Sequence, residues 1–248
     1  STRPPCRGDN GSMNAPVPRS GGRLLVDQLL VHGVTHASCV PGESYLDVLD
    51  ALHDTDIALT VCRQEGGAAM MAEAHGKLTG EPGVCLSTLG PGATNFVTAA
   101  AYAQLGGMPK VMLAGQKPIH SSRQGRFQIV DVVNLMRPAT KYSEQVVKGS
   151  RTPSMVREAF RLAGEERPGA VYLELPEDIA DEDADASIFD VVGHRRPCAS
   201  DSSIDEAVAM IRAAERPLLL IGADANRRRA SEALTHLVDS SGLYFFNT

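Results

Sequence analysis

The stretch Val61-Cys62-Arg63-Gln64-Glu65-Gly66-Gly67-Ala68-Ala69-Met70-Met71-Ala72-Glu73-Ala74-His75-Gly76-Lys77-Leu78-Thr79-Gly80 puts one carboxylate, Glu65, where an apolar run gives way to a helical pattern. Residues 57–61 before it are apolar and partly β-branched, which predicts a strand. The residues after it carry Ala68, Met71, Ala72 and His75 at spacings of three and four, which predicts a helix with that face turned inward. A carboxylate in a first helical turn complements the exposed amides and the macrodipole, and that alone explains many of them. Gly66 and Gly67 add something further. Each costs a helix about 1 kcal/mol against alanine, and together they let another chain or a ligand come close to Glu65.

Working outward, residues 1–20 are rich in Pro, Gly, Ser and Arg, lack periodicity, and include Gly11-Ser12-Met13, which reads as a junction ahead of a native start. They are set apart from the fold as a tail. A helix is expected over 23–32 and a strand over 35–40, ending at Pro41-Gly42. That turn leads into a helix over 44–53 and exposes backbone amides at the carboxyl end of a strand, the usual ligand edge of an open α/β sheet. Further strands are expected at 83–88, 110–115, 139–142 and 170–175, with helices over 93–105, 131–136 and 153–164. Six strands alternating with helices imply an α/β fold, a parallel six-stranded sheet with helices on both faces, over residues 21–180. Residues 181–203 turn acidic and then Pro-, Arg- and Ser-containing, as a linker does. Residues 204–248 read as helix, strand, helix, strand. This is the first part of a second, Rossmann-like α/β domain, too small as written to bury a core.

Composition excludes several classes. The net charge of −6 has both signs interspersed, which argues against nucleic acid and against an anionic membrane surface. No apolar run reaches about eighteen residues and no secretory segment opens the chain, so a cytoplasmic protein is expected. The five cysteines are widely spaced, with no Cys-x-x-Cys pair, so neither a disulfide framework nor a metal site is expected. The polar segment 116–128 reads as a loop at the ligand edge. It holds Lys117, His120, Arg123, Arg126, Phe127 and Gln128, a local positive excess suited to a carboxylate. A solvated basic loop would explain Lys117 and Arg123 equally well.

Val40-Pro41-Gly42-Glu43, Arg63-Gln64-Glu65, residues 72–80, Leu89-Gly90-Pro91-Gly92-Ala93-Thr94-Asn95, Gly115-Gln116-Lys117-Pro118 and Phe127-Gln128 occur in one order across most of residues 21–180. In that order and spacing the chain resembles the pyrimidine-binding domain of thiamine-diphosphate enzymes, and most closely the acetolactate synthase branch. One departure is Gln64-Glu65-Gly66, where that family commonly has His-Glu-Gln.

The resemblance implies a catalytic Glu65 that hydrogen-bonds the ring nitrogen of the cofactor's aminopyrimidine and shares a proton with it. Burial against Met70-Met71 is expected to raise its pKa. It implies cofactor contacts from Pro41, Gly42, Glu43, Gly90, Pro91, Gly92 and Asn95, and a substrate pocket bordered by Phe127 and Gln128, with His120 a further candidate. For Glu43 a first-turn role explains the carboxylate equally well. The activity implied is decarboxylation of a 2-keto acid and its addition to a second one, within a homodimer or homotetramer. Magnesium would come through a diphosphate-binding domain, whose Gly-Asp-Gly and downstream Asn are absent here, and the family also allows FAD on its central domain. This chain alone is therefore not expected to catalyse. Two other readings remain: a 2-keto acid or acyl-CoA decarboxylase on the same scaffold, and a non-catalytic dinucleotide-binding module using the amides after Gly90-Pro91-Gly92. The latter lacks both Gly-x-Gly-x-x-Gly and the Walker pattern.

Overall fold

The computed structural model describes residues 19–120, 127–191, 193, 198–222, 225 and 228–248. Six strands pair in parallel in the order β3-β2-β4-β5-β7-β6. They are β2 (His36–Cys39), β3 (Ala58–Val61), β4 (Gly83–Ser87), β5 (Lys110–Gln116), β6 (Tyr142–Gln145) and β7 (Ala170–Pro176). Strand alternation divides the core in two. Val84, Leu86, Val111, Leu113, Val171 and Leu173 face α1 (Gly21–Val31), α2 (Leu46–His53) and α7 (Thr152–Gly164). Cys85, Met112, Ala114, Ala170 and Tyr172 face α3 (Glu65–Thr79), α5 (Val97–Gly106) and α6 (Val132–Met136). β4, β5 and β7 are buried along their whole length, which is why they read as continuous apolar runs rather than alternating ones.

The structure departs from expectation at four places. α3 buries Ala68, Ala69, Ala72, Glu73 and Gly76, while Met70 and Met71 are about half exposed. The inward face is the one with the smallest side chains, because the helix lies almost on the sheet. A Cβ on Gly83 would sit 1.9 Å from the Ala72 carbonyl oxygen, and one on Gly76 would sit 2.1 Å from that of Pro109. The helix expected over 93–105 divides into α4 (Pro91–Thr94) and α5, with Asn95 and Phe96 between them. The sixth strand lies at Tyr142–Gln145 rather than 139–142. As an edge strand paired only with β7, it carries polar residues that apolar patterning does not register. Finally, β1 (Arg19–Ser20) pairs antiparallel with β8 (Asp183–Ala184), and Gln28 exchanges two hydrogen bonds with the Phe189 backbone. The folded unit thus takes in Arg19 and Ser20 and part of the segment read as linker.

Beyond it, α9 (Asp201–Ala213), β9 (Leu218–Ile221), α10 (Arg228–Ser241) and β10 (Tyr244–Asn247) follow in order. β9 and β10 pair in parallel, Leu218 beside Tyr244. Leu218, Leu220, Tyr244 and Phe246 remain exposed.

Candidate functional site

Parallel strands deliver all their carboxyl ends to one edge of the sheet, and the loops there converge on Glu65. Glu65 is the first residue of α3. Gln64 caps the helix by accepting the Gly67 N–H at 2.8 Å, which frees the Glu65 carboxylate from capping its own helix. Asn95, in the break between α4 and α5, donates its amide to Glu65 Oε2 at 2.8 Å. The other oxygen, Oε1, lies beside Gly92, where a Cβ would stand 3.3 Å from it and 2.7 Å from Thr88 Cγ2.

The turn after β2 closes the same cradle. A Cβ on Gly42 would be 2.4 Å from the Thr88 Cβ, and Ser44 Oγ accepts the Leu89 N–H at 3.0 Å while lying 3.0 Å from Thr88 Oγ1. The buried Tyr45 donates to the Val40 carbonyl at 2.6 Å. Burial holds its phenol well above the usual range, helped by Cys39 and by the Glu65 charge. Gly90 takes a left-handed φ of 52° and lies so close to Gln128 that a Cβ would be 2.0 Å from the Gln128 carbonyl oxygen. Only glycine fits both demands.

Gly42, Glu65, Gly90, Gly92 and Asn95 thus gather around Thr88, together with the Gln128 backbone, and Pro41 is next to Gly42 in the chain and exposed. Pro91 opens the short α4 beside them. The other candidates are placed differently. Glu43 is largely exposed and pairs with Lys117, whose Nζ is 3.4 Å from Glu43 Oε1 and 3.5 Å from Glu177 Oε1. His120 is exposed and held through its backbone N–H, which donates to Asp178 Oδ2 at 2.8 Å. Phe127 is 72% exposed. Arg123 and Arg126 lie outside the described residues. The expected burial of Glu65 against Met70 and Met71 is not found, since those side chains face outward. The carboxylate is half-buried among glycines, Thr88 and Asn95 instead.

Two buried polar groups escaped the sequence reading. Lys110, fully buried, donates to the Ala99 carbonyl at 2.8 Å and lies 3.5 Å from Glu73 Oε2. Burial pushes the lysine pKa down and the glutamate pKa up, each opposed by the other's charge. Glu174, at the carboxyl end of β7, accepts from Gln145, Gln116 and Tyr172. Burial raises its pKa, and these three hydrogen bonds work against the rise. Next to it a cavity of about 390 Å³ is lined by Gln116, Lys117, Ile119, Ile129, Val130 and Glu174 among others. The signal for both groups was a charged residue set in an otherwise apolar strand, which is costly unless it is paired.

A parallel sheet with an acid at a glycine-rich carboxyl edge has the layout of a ligand-binding α/β domain, and its relatives make the class specific. Residues 19–135 match the family described as thiamine pyrophosphate enzyme, N-terminal TPP binding domain. Through this segment the chain is similar to the thiamine pyrophosphate enzymes, and over most of its length it is similar to acetolactate synthases. It is 38% identical over 234 residues to an acetolactate synthase of Bacillus subtilis, which covers 94% of this chain and 41% of that protein. It is 35% identical over 211 residues to the acetolactate synthase isozyme 1 large subunit of Escherichia coli, covering 82% and 37%. With the mitochondrial acetolactate synthase catalytic subunit of Aspergillus candidus it shares 40% over 162 residues, covering 65% and 23%. The chain therefore spans about two fifths or less of the length of these relatives.

Proposed function

We propose that this chain is the cofactor-activating part of a thiamine-diphosphate-dependent carboligase that decarboxylates one 2-keto acid and joins the remainder to a second, as an acetolactate synthase does. The observation that carries the reading is the Glu65 carboxylate, oriented by Asn95 on one oxygen and bordered on the other by Gly92. A rigid acid with one oxygen committed and the other in a glycine cradle suits a flat heterocycle with a protonatable ring nitrogen.

Glu65 would take that nitrogen. Gly42, Gly90 and Gly92 let Thr88, the Gln128 backbone and the Glu65 carboxylate close up into the cradle against which the ring would lie. Thiamine diphosphate, when bound, supplies the nucleophilic carbon that attacks the ketone. The role of this chain is to hold a proton at Glu65 and keep the ring oriented. Magnesium and FAD, if used, are assigned to residues outside this chain. A 2-keto acid or acyl-CoA decarboxylase would need the same Glu65 and differ in its pocket. The dinucleotide reading is less favoured, since the helix that follows Gly90-Pro91-Gly92, α4, is four residues long and gives way at Asn95 to α5, so no long helix starts at those amides.

An oligomer follows from the same reading. α3 and α5 pack side by side and leave Met70, Met71, Leu78, Tyr102 and Leu105 substantially exposed. An apolar face of that kind suits a second subunit, so we assign it to a homodimer or a pair of dimers. Relatives named as large subunits make an additional smaller subunit part of the proposal. No helix among the described residues is long and apolar enough to cross a membrane, and a cytoplasmic location is assigned with the rest.

The test is to give pyruvate, thiamine diphosphate and magnesium to the complete protein and to assay acetolactate against acetaldehyde. Glu65→Gln should leave cofactor binding measurable and lower turnover by about a hundredfold or more. Near-normal turnover in that variant would remove Glu65 from its role.

A further inference from the structure

Glu174 is 2% exposed, and its partners are three neutral donors. Gln145 Nε2 donates to Oε1 at 2.5 Å, and Gln116 Nε2 and the Tyr172 hydroxyl donate to Oε2 at 3.2 and 3.1 Å. A buried carboxylate satisfied only by neutral donors is costly for a fold to keep, and simple stability would be served as well by an apolar side chain. The surroundings point to a second purpose.

Gln116 Nε2 also lies 3.4 Å from the Val130 carbonyl oxygen, and Gln116 Oε1 accepts the Lys117 N–H at 2.9 Å. One amide, aimed by Glu174, therefore ties together residues 116–117 and residue 130. Both segments line the 390 Å³ cavity, as do Gln145 and Glu174 themselves. Two residues before Val130, the Gln128 carbonyl rests on Gly90, in the loop that brings Asn95 to Glu65. The cavity wall and the Glu65 cradle are thus contiguous through the backbone.

We infer that Glu174 is a positioning residue, which acts through Gln116 to hold the cavity wall in the shape that receives the 2-keto acid. The inference rests on the carboligase reading for the identity of the occupant. Replacing the carboxylate by the apolar side chain of methionine, of similar length, removes both acceptor oxygens, and Gln116 loses its anchor.

The test uses the complete protein as Glu174→Met, Gln116→Leu and the double variant. Glu174→Met should raise KM for pyruvate about tenfold, the loss of one hydrogen bond to a charged group. It should leave kcat and the thiamine diphosphate Kd within about twofold, and should speed hydrogen exchange of the amides around 129–133. Gln116→Leu should do the same, and the double variant should be no worse than Gln116→Leu alone, since Glu174 acts through Gln116. A fall in melting temperature with KM and exchange unchanged would overturn the inference. So would a loss of cofactor affinity in step with KM, or effects of the two substitutions on KM that multiply in the double variant. If the parent protein turned over no 2-keto acid, the carboligase reading would fail on that result. Exchange in the 129–133 segment would still decide whether Glu174 positions the wall.

Discussion

Removing the buried charge of Lys110 as Lys110→Met keeps most of the side-chain volume and deletes two things. These are the 2.8 Å hydrogen bond to the Ala99 carbonyl and the counter-charge 3.5 Å from Glu73 Oε2. Glu73 is 6% exposed on α3, two turns from Glu65 on the same helix, so the cost falls on the element that carries the candidate catalytic acid. Breaking a buried pair from one side costs about 3–5 kcal/mol. Glu73 can escape part of that by protonation, so the lower figure applies, and about 3 kcal/mol corresponds to a fall of roughly 6–12 °C in Tm for a chain of this size.

The pH dependence has a definite sign. Burial already raises the Glu73 pKa in the folded state, and Lys110 opposes that rise. A carboxyl with a raised folded pKa binds its proton more tightly when folded, so it removes stability as pH climbs from the unfolded to the folded pKa. Without Lys110 the rise is larger, and the deficit of the variant should be greater at pH 8 than at pH 5. Thermal melts at the two pH values check this, and Lys110→Met combined with Glu73→Gln should recover much of the loss at pH 8. A deficit that is equal at both pH values, or below about 1 kcal/mol at pH 8, would refute the account of a costly unpaired anion.

Gly92→Ala would set a methyl 2.7 Å from Thr88 Cγ2 and 3.3 Å from Glu65 Oε1. It should weaken thiamine diphosphate binding about tenfold, a displacement costing about 1–2 kcal/mol at the cradle, as read by fluorescence titration of the complete protein. Gly76→Ala would bring a methyl 2.1 Å from the Pro109 carbonyl oxygen, lift α3 off β4 and β5, and lower stability by about 1–3 kcal/mol in urea denaturation. Tyr102→Asp places a charge on the exposed face shared by α3 and α5. Sedimentation should then show dissociation to monomer, and an unchanged oligomer would move the subunit interface elsewhere.

How much of this was legible varies with the kind of signal. Strands β4, β5 and β7 announce themselves as unbroken apolar runs because they are buried on both sides. The place of Glu65 was legible because an apolar run followed by an acid and two glycines marks a strand-to-helix turn. β6 was misplaced by three residues because an edge strand of Tyr-Ser-Glu-Gln carries little hydrophobic pattern. The inward face of α3 was misjudged because apolar periodicity favours large side chains at the core, whereas here the limiting quantity is the distance between helix and sheet. That distance selects Ala68, Ala72 and Gly76 and turns Met70 and Met71 outward. Glu174 and Lys110 were written in the sequence as charged residues in apolar strands, but the partners that justify them come from other elements.

The linear chain determined the alternation of strand and helix, the parallel sheet this demands, and the place of Glu65 at a strand-to-helix turn, because each depends on neighbours within about ten residues. Only the tertiary structure decided that Asn95 holds that acid, that Gly42, Thr88 and Gly92 build its cradle, and that Glu174 commands Gln116. The Asn95–Glu65 and Gln116–Glu174 contacts join residues 30 and 58 positions apart, and such pairings are settled by which loops the sheet order places side by side, a choice that no local pattern encodes.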